Sequence, residues 1–208
     1  EGGRRGIAPA GLSSFTVMDE ILTALANKDR FPMLTWTTLV GHSAGGQLTQ
    51  RYAAGGRAPG TLRGVTIGYV TANPSSYLYL NSHRPIGGNP AESCPGYNDY
   101  KYGLEKRNEY FSVLNDKTIR QQYISRRVTY LLGSADIDQD DDFEVGCTAN
   151  AQGDTRFQRR YFYYSFIRTF FPSAQHHMAI VPEVGHDYDA MFNSTQGKTA
   201  IFRDGDQP

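Results

Sequence analysis

One short segment, residues 41–46, limits the possible folds of this chain more than any other. Its sequence, GHSAGG, fits the pattern G-x-S-x-G. It follows an apolar stretch expected to be a strand, at 35–40, and it opens a stretch expected to be a helix, at 44–54. A serine on such a sharp turn is typical of a nucleophile, and the glycines two residues before and after it relieve close contacts. The pattern therefore predicts Ser43 as a nucleophile, the alternative being an idle serine that only caps the helix.

The rest of the chain alternates between strand and helix patterns. Helices are expected at 14–26, 44–54 and 155–171, and strands at 35–40, 63–70, 128–132 and 178–181. This order predicts an α/β fold with a mostly parallel sheet and crossover helices. Residues 73–108 have no clear period and are rich in Asn, Pro, Gly, Ser and Tyr. A loop of this length is typically a functional insertion such as a lid, or disordered. Its tyrosines at 77, 79, 97, 100 and 102 either line an acyl pocket or simply pack.

A serine hydroxyl needs an adjacent base, and in folds of this kind the acid and then the histidine follow the serine along the chain. Of the five histidines, His186 alone is expected just past the carboxyl end of a strand, in the loop VPEVGHDYD. His42 is fixed beside Ser43, and the other three lie too early in the chain or at the wrong end of a strand. We therefore predict His186 as the general base, the alternative being an ordinary surface histidine.

The acid is expected just after the strand that ends at Leu132. Asp136 occupies that place, where a carboxylate can orient the imidazole, and Asp138 is the second candidate. The acidic residues at 140–142 are expected to face solvent. The acidic stretch 136–144 also leaves calcium binding open as a weaker interpretation, although the EF-hand spacing is absent. The backbone N–H of Ala44 is predicted to donate to the oxyanion.

Composition excludes several other functions. With 21 basic and 21 acidic side chains the formal net charge is zero, which argues against a partner that is nucleic acid or an acidic membrane. No apolar run is long enough for a transmembrane segment. Cys94 and Cys147 are too few for a zinc site, and both lie in turn-rich polar segments. We expect a disulfide between them and hence a secreted or extracytoplasmic protein, the alternative being two free thiols.

The motifs GHSAGG, LLGSAD and VGHD resemble those of the α/β-hydrolase superfamily over essentially the whole chain from about residue 14. NPSSYLY, CTANAQGDTRFQRR and VPEVGHD are similar to a narrower group of poorly characterised fungal hydrolase-like proteins, which implies no substrate. The superfamily resemblance implies a mostly parallel sheet with helices on both faces and acyl-transfer chemistry without a cofactor. It matches Ser43 to the nucleophile, Asp136 to the acid and His186 to the base.

The superfamily has several strands and a second oxyanion donor before the nucleophile strand, whereas only about 35 residues precede that strand here. The resemblance thus implies that residues 1–208 are the C-terminal part of a single domain, truncated at its N-terminus, with a lid-like insertion at about 73–108. The expected function is a serine hydrolase acting on a carboxylic ester or related acyl bond of a small molecule, with amides second. The alternative is a non-catalytic hydrolase-like binding protein or an inactive fragment. No metal site or oligomeric state is indicated.

Overall fold

A computed structural model of the protein describes residues 12–85, 90–140 and 143–202. Four parallel strands form one sheet in the order β1-β2-β3-β4, which confirms the expected α/β class. The strands are β1 (Trp36–His42), β2 (Thr66–Ala72), β3 (Arg127–Gly133) and β4 (His176–Val181). The helices are α1 (Ser14–Leu25), α2 (Ala44–Gly55), α3 (Pro90–Ser93), α4 (Glu109–Ser112), α5 (Asp116–Ser125), α6 (Cys147–Asn150), α7 (Arg156–Phe170), α8 (Tyr188–Asn193) and α9 (Thr195–Phe202), with a short 3₁₀ turn at Ala58–Gly60.

Helices cover both faces of the sheet, as the resemblance implied. On one face, α1, α2, α5 and α7 pack around Tyr69 and Tyr130 in the larger apolar core. On the other face, α8 and α9 pack against Val70, Leu131 and Val181. Burying apolar surface on both sides is typical of parallel sheets.

The helix ends follow ordinary capping chemistry. Ser13 caps α1 by accepting a hydrogen bond from the N–H of Thr16, as expected for an N-cap serine. The carboxyl end of α2 is closed by Arg126, whose guanidinium donates to the carbonyls of Tyr52, Ala53 and Gly56 at 3.2, 2.8 and 2.6 Å. The Tyr52 carbonyl also accepts from the N–H of Gly56 at 2.7 Å, so the guanidinium adds to the closure of the last turn of the helix. The bonds from Arg126 also fix α2, which starts at the predicted nucleophile, to the amino end of β3.

The segment at 73–108 begins inside the core. Tyr77 and Tyr79 are fully buried, and the Tyr77 ring stacks on that of Tyr163 with centroids 4.4 Å apart. These two tyrosines therefore pack in the core, which favours the second interpretation for them. Tyr97, Tyr100 and Tyr102 are partly buried. A lid role for the remainder of the segment stays a prediction.

Cys94 and Cys147 form a disulfide, with an S–S distance of 2.02 Å. The bond joins the segment after α3 to the first residue of α6. Just past α6, the side chain of Gln152 binds both the N–H and the carbonyl of Tyr77, each at 2.8 Å. The loops beyond the sheet are thus tied to each other and to the core.

Trp36, the only tryptophan of the sequence, opens the edge strand β1. Its indole lies against Gly68 of β2, where a Cβ would come within 2.6 Å of Trp36 Cζ2. The indole N–H donates to Thr38 Oγ1 at 2.9 Å. Within the described ranges, no helix combines the length and the apolar character that crossing a membrane requires.

Candidate active site

Ser43 lies on a strained turn between β1 and α2. Its backbone has φ 54° and ψ −120°, a left-handed conformation that costs energy for a residue with a side chain. Its N–H donates to the carbonyl of Ala72, at the end of β2, at 2.9 Å. The turn needs glycine at 41, because a Cβ there would lie 2.2 Å from the carbonyl oxygen of Gly45.

The second glycine that the turn needs is not the one expected. A Cβ on Gly45 would meet no described atom within 4 Å, so close contact does not explain that glycine. A Cβ on Gly46 would instead lie 2.7 Å from the carbonyl oxygen of Ala72. Gly46 therefore lets α2 approach the end of β2.

Asp136 and His186 meet beyond the carboxyl ends of β3 and β4. Asp136 follows the end of β3 by three residues and is 2% exposed, whereas Asp138 is exposed. His186 Nδ1 lies 3.0 Å from Asp136 Oδ2. Of the two candidate acids, Asp136 is thus the one that contacts the predicted base.

His42 connects this pair with the serine turn. It precedes Ser43, and its ring centroid lies 4.5 Å from that of His186. Burial, and next the charge of His186, lower the pKa of His42 to about 4. At neutral pH His42 is therefore uncharged. The predicted nucleophile, base and acid consequently lie in one region, at the carboxyl edge of the sheet.

The acid loop and the histidine loop are held together by backbone hydrogen bonds. The N–H of Ser134 donates to the carbonyl of Val181, and that of Ala135 to the carbonyl of Val184, both at 3.0 Å. The N–H of Glu183 donates to Ser134 Oγ at 2.8 Å. These bonds therefore fix the loop that carries Asp136 relative to the loop that carries His186.

The neighbouring buried arginines are the part of the site that the sequence patterns did not reveal. Arg156, fully buried at the start of α7, lies with its Nη1 3.5 Å from Asp136 Oδ1. It also binds Asp140 through both nitrogens, at 2.9 and 2.6 Å. Asp140 is exposed, as expected, and it is also paired with this arginine. Arginine is rarely buried without such partners, so three buried arginines in one helix (Arg156, Arg159 and Arg160) would have been an unusual prediction.

The remaining acidic residues have structural partners or lie outside the described part. Asp187, next to His186 in sequence, caps α8 by accepting from the N–H groups of Asp189 and Ala190. Residues 141 and 142 of the acidic stretch lie outside the described residues. Among those that the structure describes, no group of three or more His, Cys, Asp or Glu side chains could hold a metal ion.

The sheet order, the serine turn after the edge strand and the two loops that follow it define the α/β-hydrolase fold, as expected. Solved structures with this fold include the following two. LpqC, a poly(3-hydroxybutyrate) depolymerase from Bordetella parapertussis, has a TM-score of 0.64 at 22% identity, covering 93% of this chain and 57% of that chain. Poly(aspartic acid) hydrolase-1 from Sphingomonas sp. KT-1 has a TM-score of 0.66 at 21% identity, covering 91% and 64%. The chain thus spans less than two thirds of either neighbour. No protein-family model matches the sequence, and no curated protein matches it significantly.

Proposed function

We propose that the protein is a serine hydrolase that cleaves a carboxylic ester or related acyl bond, with Ser43 as nucleophile, His186 as base and Asp136 as acid. The observation that carries the proposal is the 3.0 Å contact between His186 Nδ1 and Asp136 Oδ2, beside the serine turn. A carboxylate that accepts from Nδ1–H leaves Nε2 as the basic nitrogen. That nitrogen is the one that a neighbouring serine requires.

The reaction proceeds in two halves. His186 Nε2 takes the Ser43 hydroxyl proton while Oγ attacks the acyl carbonyl, and Asp136 stabilises the resulting imidazolium. The N–H of Ala44, at the start of α2, donates to the oxyanion, and the positive end of the helix dipole favours the same charge. His186 then protonates the leaving group. Water, activated by the same imidazole, releases the acyl group and restores the serine.

The substrate class is an acyl compound, with esters first and amides second. Alcohols leave more readily than amines, so an ester is the least demanding substrate for such a triad. The names of the two fold neighbours include one polyester and one poly(amino acid). We also propose a secreted or extracytoplasmic location, because the disulfide between Cys94 and Cys147 is stable in oxidising compartments.

A fluorophosphonate probe tests the proposal, because it reacts only with an activated serine. The wild-type chain should be labelled on Ser43, and Ser43→Ala should abolish labelling. Ser173→Ala, a change of an exposed serine in the turn before β4, is expected to leave the label on Ser43. A chain-length series of p-nitrophenyl esters then identifies the acyl preference. If wild type and Ser43→Ala label equally poorly, the non-catalytic binding protein becomes the better interpretation.

A further inference from the structure

Asn73, directly after the carboxyl end of β2, connects the strand ends to the histidine loop. Its side chain is fully buried. Its Oδ1 accepts from the N–H of Gly133 at 3.2 Å and from Arg160 Nη2. Its Nδ2 donates to the carbonyl of Gly185, the residue before His186, at 3.0 Å. One amide therefore contacts the end of β3, helix α7 and the loop that carries the predicted base.

The surroundings of Asn73 allow only one orientation of its amide. Both groups on the Oδ1 side, a backbone N–H and a guanidinium, can only donate. The group on the Nδ2 side is the carbonyl of Gly185, which can only accept. If the amide were inverted, its NH₂ group would face two donors and its oxygen would face the Gly185 carbonyl oxygen. The neighbouring groups therefore fix the orientation of the amide.

The backbone of Asn73 also suits this residue type. Its φ is 42°, in the left-handed region that asparagine tolerates better than most residues with a side chain. Arg160, which donates to Asn73, is itself fully buried and donates through Nε to Tyr77 Oη at 3.1 Å. The Asn73 amide is therefore hydrogen-bonded to a guanidinium that is itself hydrogen-bonded. The orientation of the amide does not depend on solvent.

We propose that Asn73 is a positioning residue for the catalytic imidazole: its Nδ2–H holds the Gly185 carbonyl, and with it the loop that brings His186 Nδ1 to Asp136. The proposal rests on the proposed hydrolase function for its kinetic consequences, but its geometric content does not. Gly133 supports it, because a Cβ there would lie 2.4 Å from the carbonyl oxygen of Val184 and 3.0 Å from that of Gly185. The loop is thus packed closely at this point, and a shift of Gly185 moves His186.

Asn73→Asp is the decisive variant. It keeps the size, the left-handed preference and both acceptor contacts of Oδ1, but it replaces the donor to Gly185 by an oxygen. Asn73→Gly keeps the backbone conformation and deletes the side chain. The matched control is Asn98→Gly, which deletes another buried asparagine whose Oδ1 accepts from a buried arginine, Arg84, at 3.1 Å.

The readouts are kcat and KM on a p-nitrophenyl ester, and the His186 Nδ1 proton in spectra of [¹⁵N]histidine-labelled protein, assigned with His186→Gln. Both Asn73 variants should lower kcat on the order of 100-fold with little change in KM, because displacement of a reacting group by about 1 Å has that cost. They should also lose the proton signal of the hydrogen bond to Asp136. Asn98→Gly should keep both the wild-type kcat and the His186 Nδ1 proton signal.

Two results would overturn the proposal: an Asn73→Asp protein that keeps kcat and the imidazole proton signal, or an Asn98→Gly protein that loses them equally. Failure of the proposed function has a different signature. In that case the wild-type chain takes no fluorophosphonate label, while the proton signal still distinguishes wild type from Asn73→Asp and so still decides whether Asn73 positions the imidazole.

Discussion

Strand β4 begins with two histidines, His176 and His177, and His186 follows shortly after its end. The surroundings of His176 and His186 differ. His176, at the amino end, is 2% exposed, with Nδ1 2.9 Å from Tyr130 Oη and Nε2 2.8 Å from the carbonyl oxygen of Tyr123. His186, at the carboxyl end, contacts a carboxylate through Nδ1 only, and its side chain is 21% exposed. Both nitrogens of the His176 imidazole have hydrogen-bond partners, whereas His186 has such a partner at Nδ1 only among the described residues. The comparison shows that the two histidines differ in their partners and in their access to solvent, and these differences support the proposal that His186 and not His176 is the base.

The largest expected effect tests this comparison directly. His186→Gln should lower kcat/KM on esters by about 10⁶-fold, as loss of the base does in serine hydrolases. His176→Gln should leave kcat unchanged in the folded protein, because His176 lies at the opposite edge of the sheet. The measurement is ester hydrolysis at saturating and limiting substrate, with circular dichroism as the check of folding. A folded His176→Gln protein without activity would contradict the conclusion that only the histidine after the carboxyl end of β4 serves the reaction.

The next effect concerns the acid. Asp136→Asn should lower kcat by about 10⁴-fold, because a neutral amide no longer favours the correct tautomer and the imidazolium of His186. Asp138→Asn is the matched control and should be close to wild type, since Asp138 is exposed. Steady-state kinetics of both variants decides between the two candidates. Equal losses in both would indicate that the acidic loop acts as a whole.

The amino and carboxyl edges of the sheet also differ in a covalent bond. The disulfide joins loops that leave the sheet at its carboxyl edge. The Cys94–Cys147 bond has a sequence separation of 53, and the entropy of closing a loop of that length predicts a stabilisation of about 4 kcal/mol. The double variant Cys94→Ser/Cys147→Ser should lose about this free energy of unfolding. Denaturant titration measures it. An unchanged midpoint would show that packing alone holds these loops.

The smallest expected effect is a pH dependence of stability that comes from His176, at the amino end of β4. Burial lowers the pKa of His176 to about 4, from an ordinary value of 6.5. Between these values the unfolded chain binds the proton and the folded chain does not, so stability falls as pH falls through this window. From pH 7 to pH 5 the loss is about 2 kcal/mol. His42, whose pKa is also lowered, contributes with the same sign.

Thermal melts of wild type and two variants measure this pH dependence. His176→Gln should reduce the loss of stability between pH 7 and pH 5, because it removes one of the two imidazoles whose pKa is lowered in the folded protein. The exposed His83→Gln should leave it unchanged. If stability falls with pH equally in all three proteins, His176 is not the origin of this pH dependence.

The sequence was sufficient to place the residues whose position follows from topology. Ser43, Asp136 and His186 each follow the end of a parallel strand, and parallel strands end at the same edge. Their catalytic roles stay predictions. Helix α1 and the disulfide were also expected, because a helical pattern and two cysteines in polar loops are local signals.

The remaining features depend on long-range packing. Helix α5 has only two fully buried side chains, Ile119 and Tyr123, in a polar sequence, so its apolar face is too narrow to stand out. Arg160 and Asn73 are 87 residues apart in sequence, and their contact exists only once α7 packs against the sheet at β3. A buried arginine and an asparagine after a strand carry no periodic signal.

The position of Trp36 over Gly68 gives the molecule a built-in optical probe. As the sole indole in the sequence, Trp36 reports by its fluorescence on the contact between β1 and β2 alone. The many buried tyrosines report on the core through difference absorbance. If the two signals change together in denaturant, the edge strand and the core unfold as one cooperative unit. If the indole emission shifts first, the edge opens while the rest of the sheet is still intact.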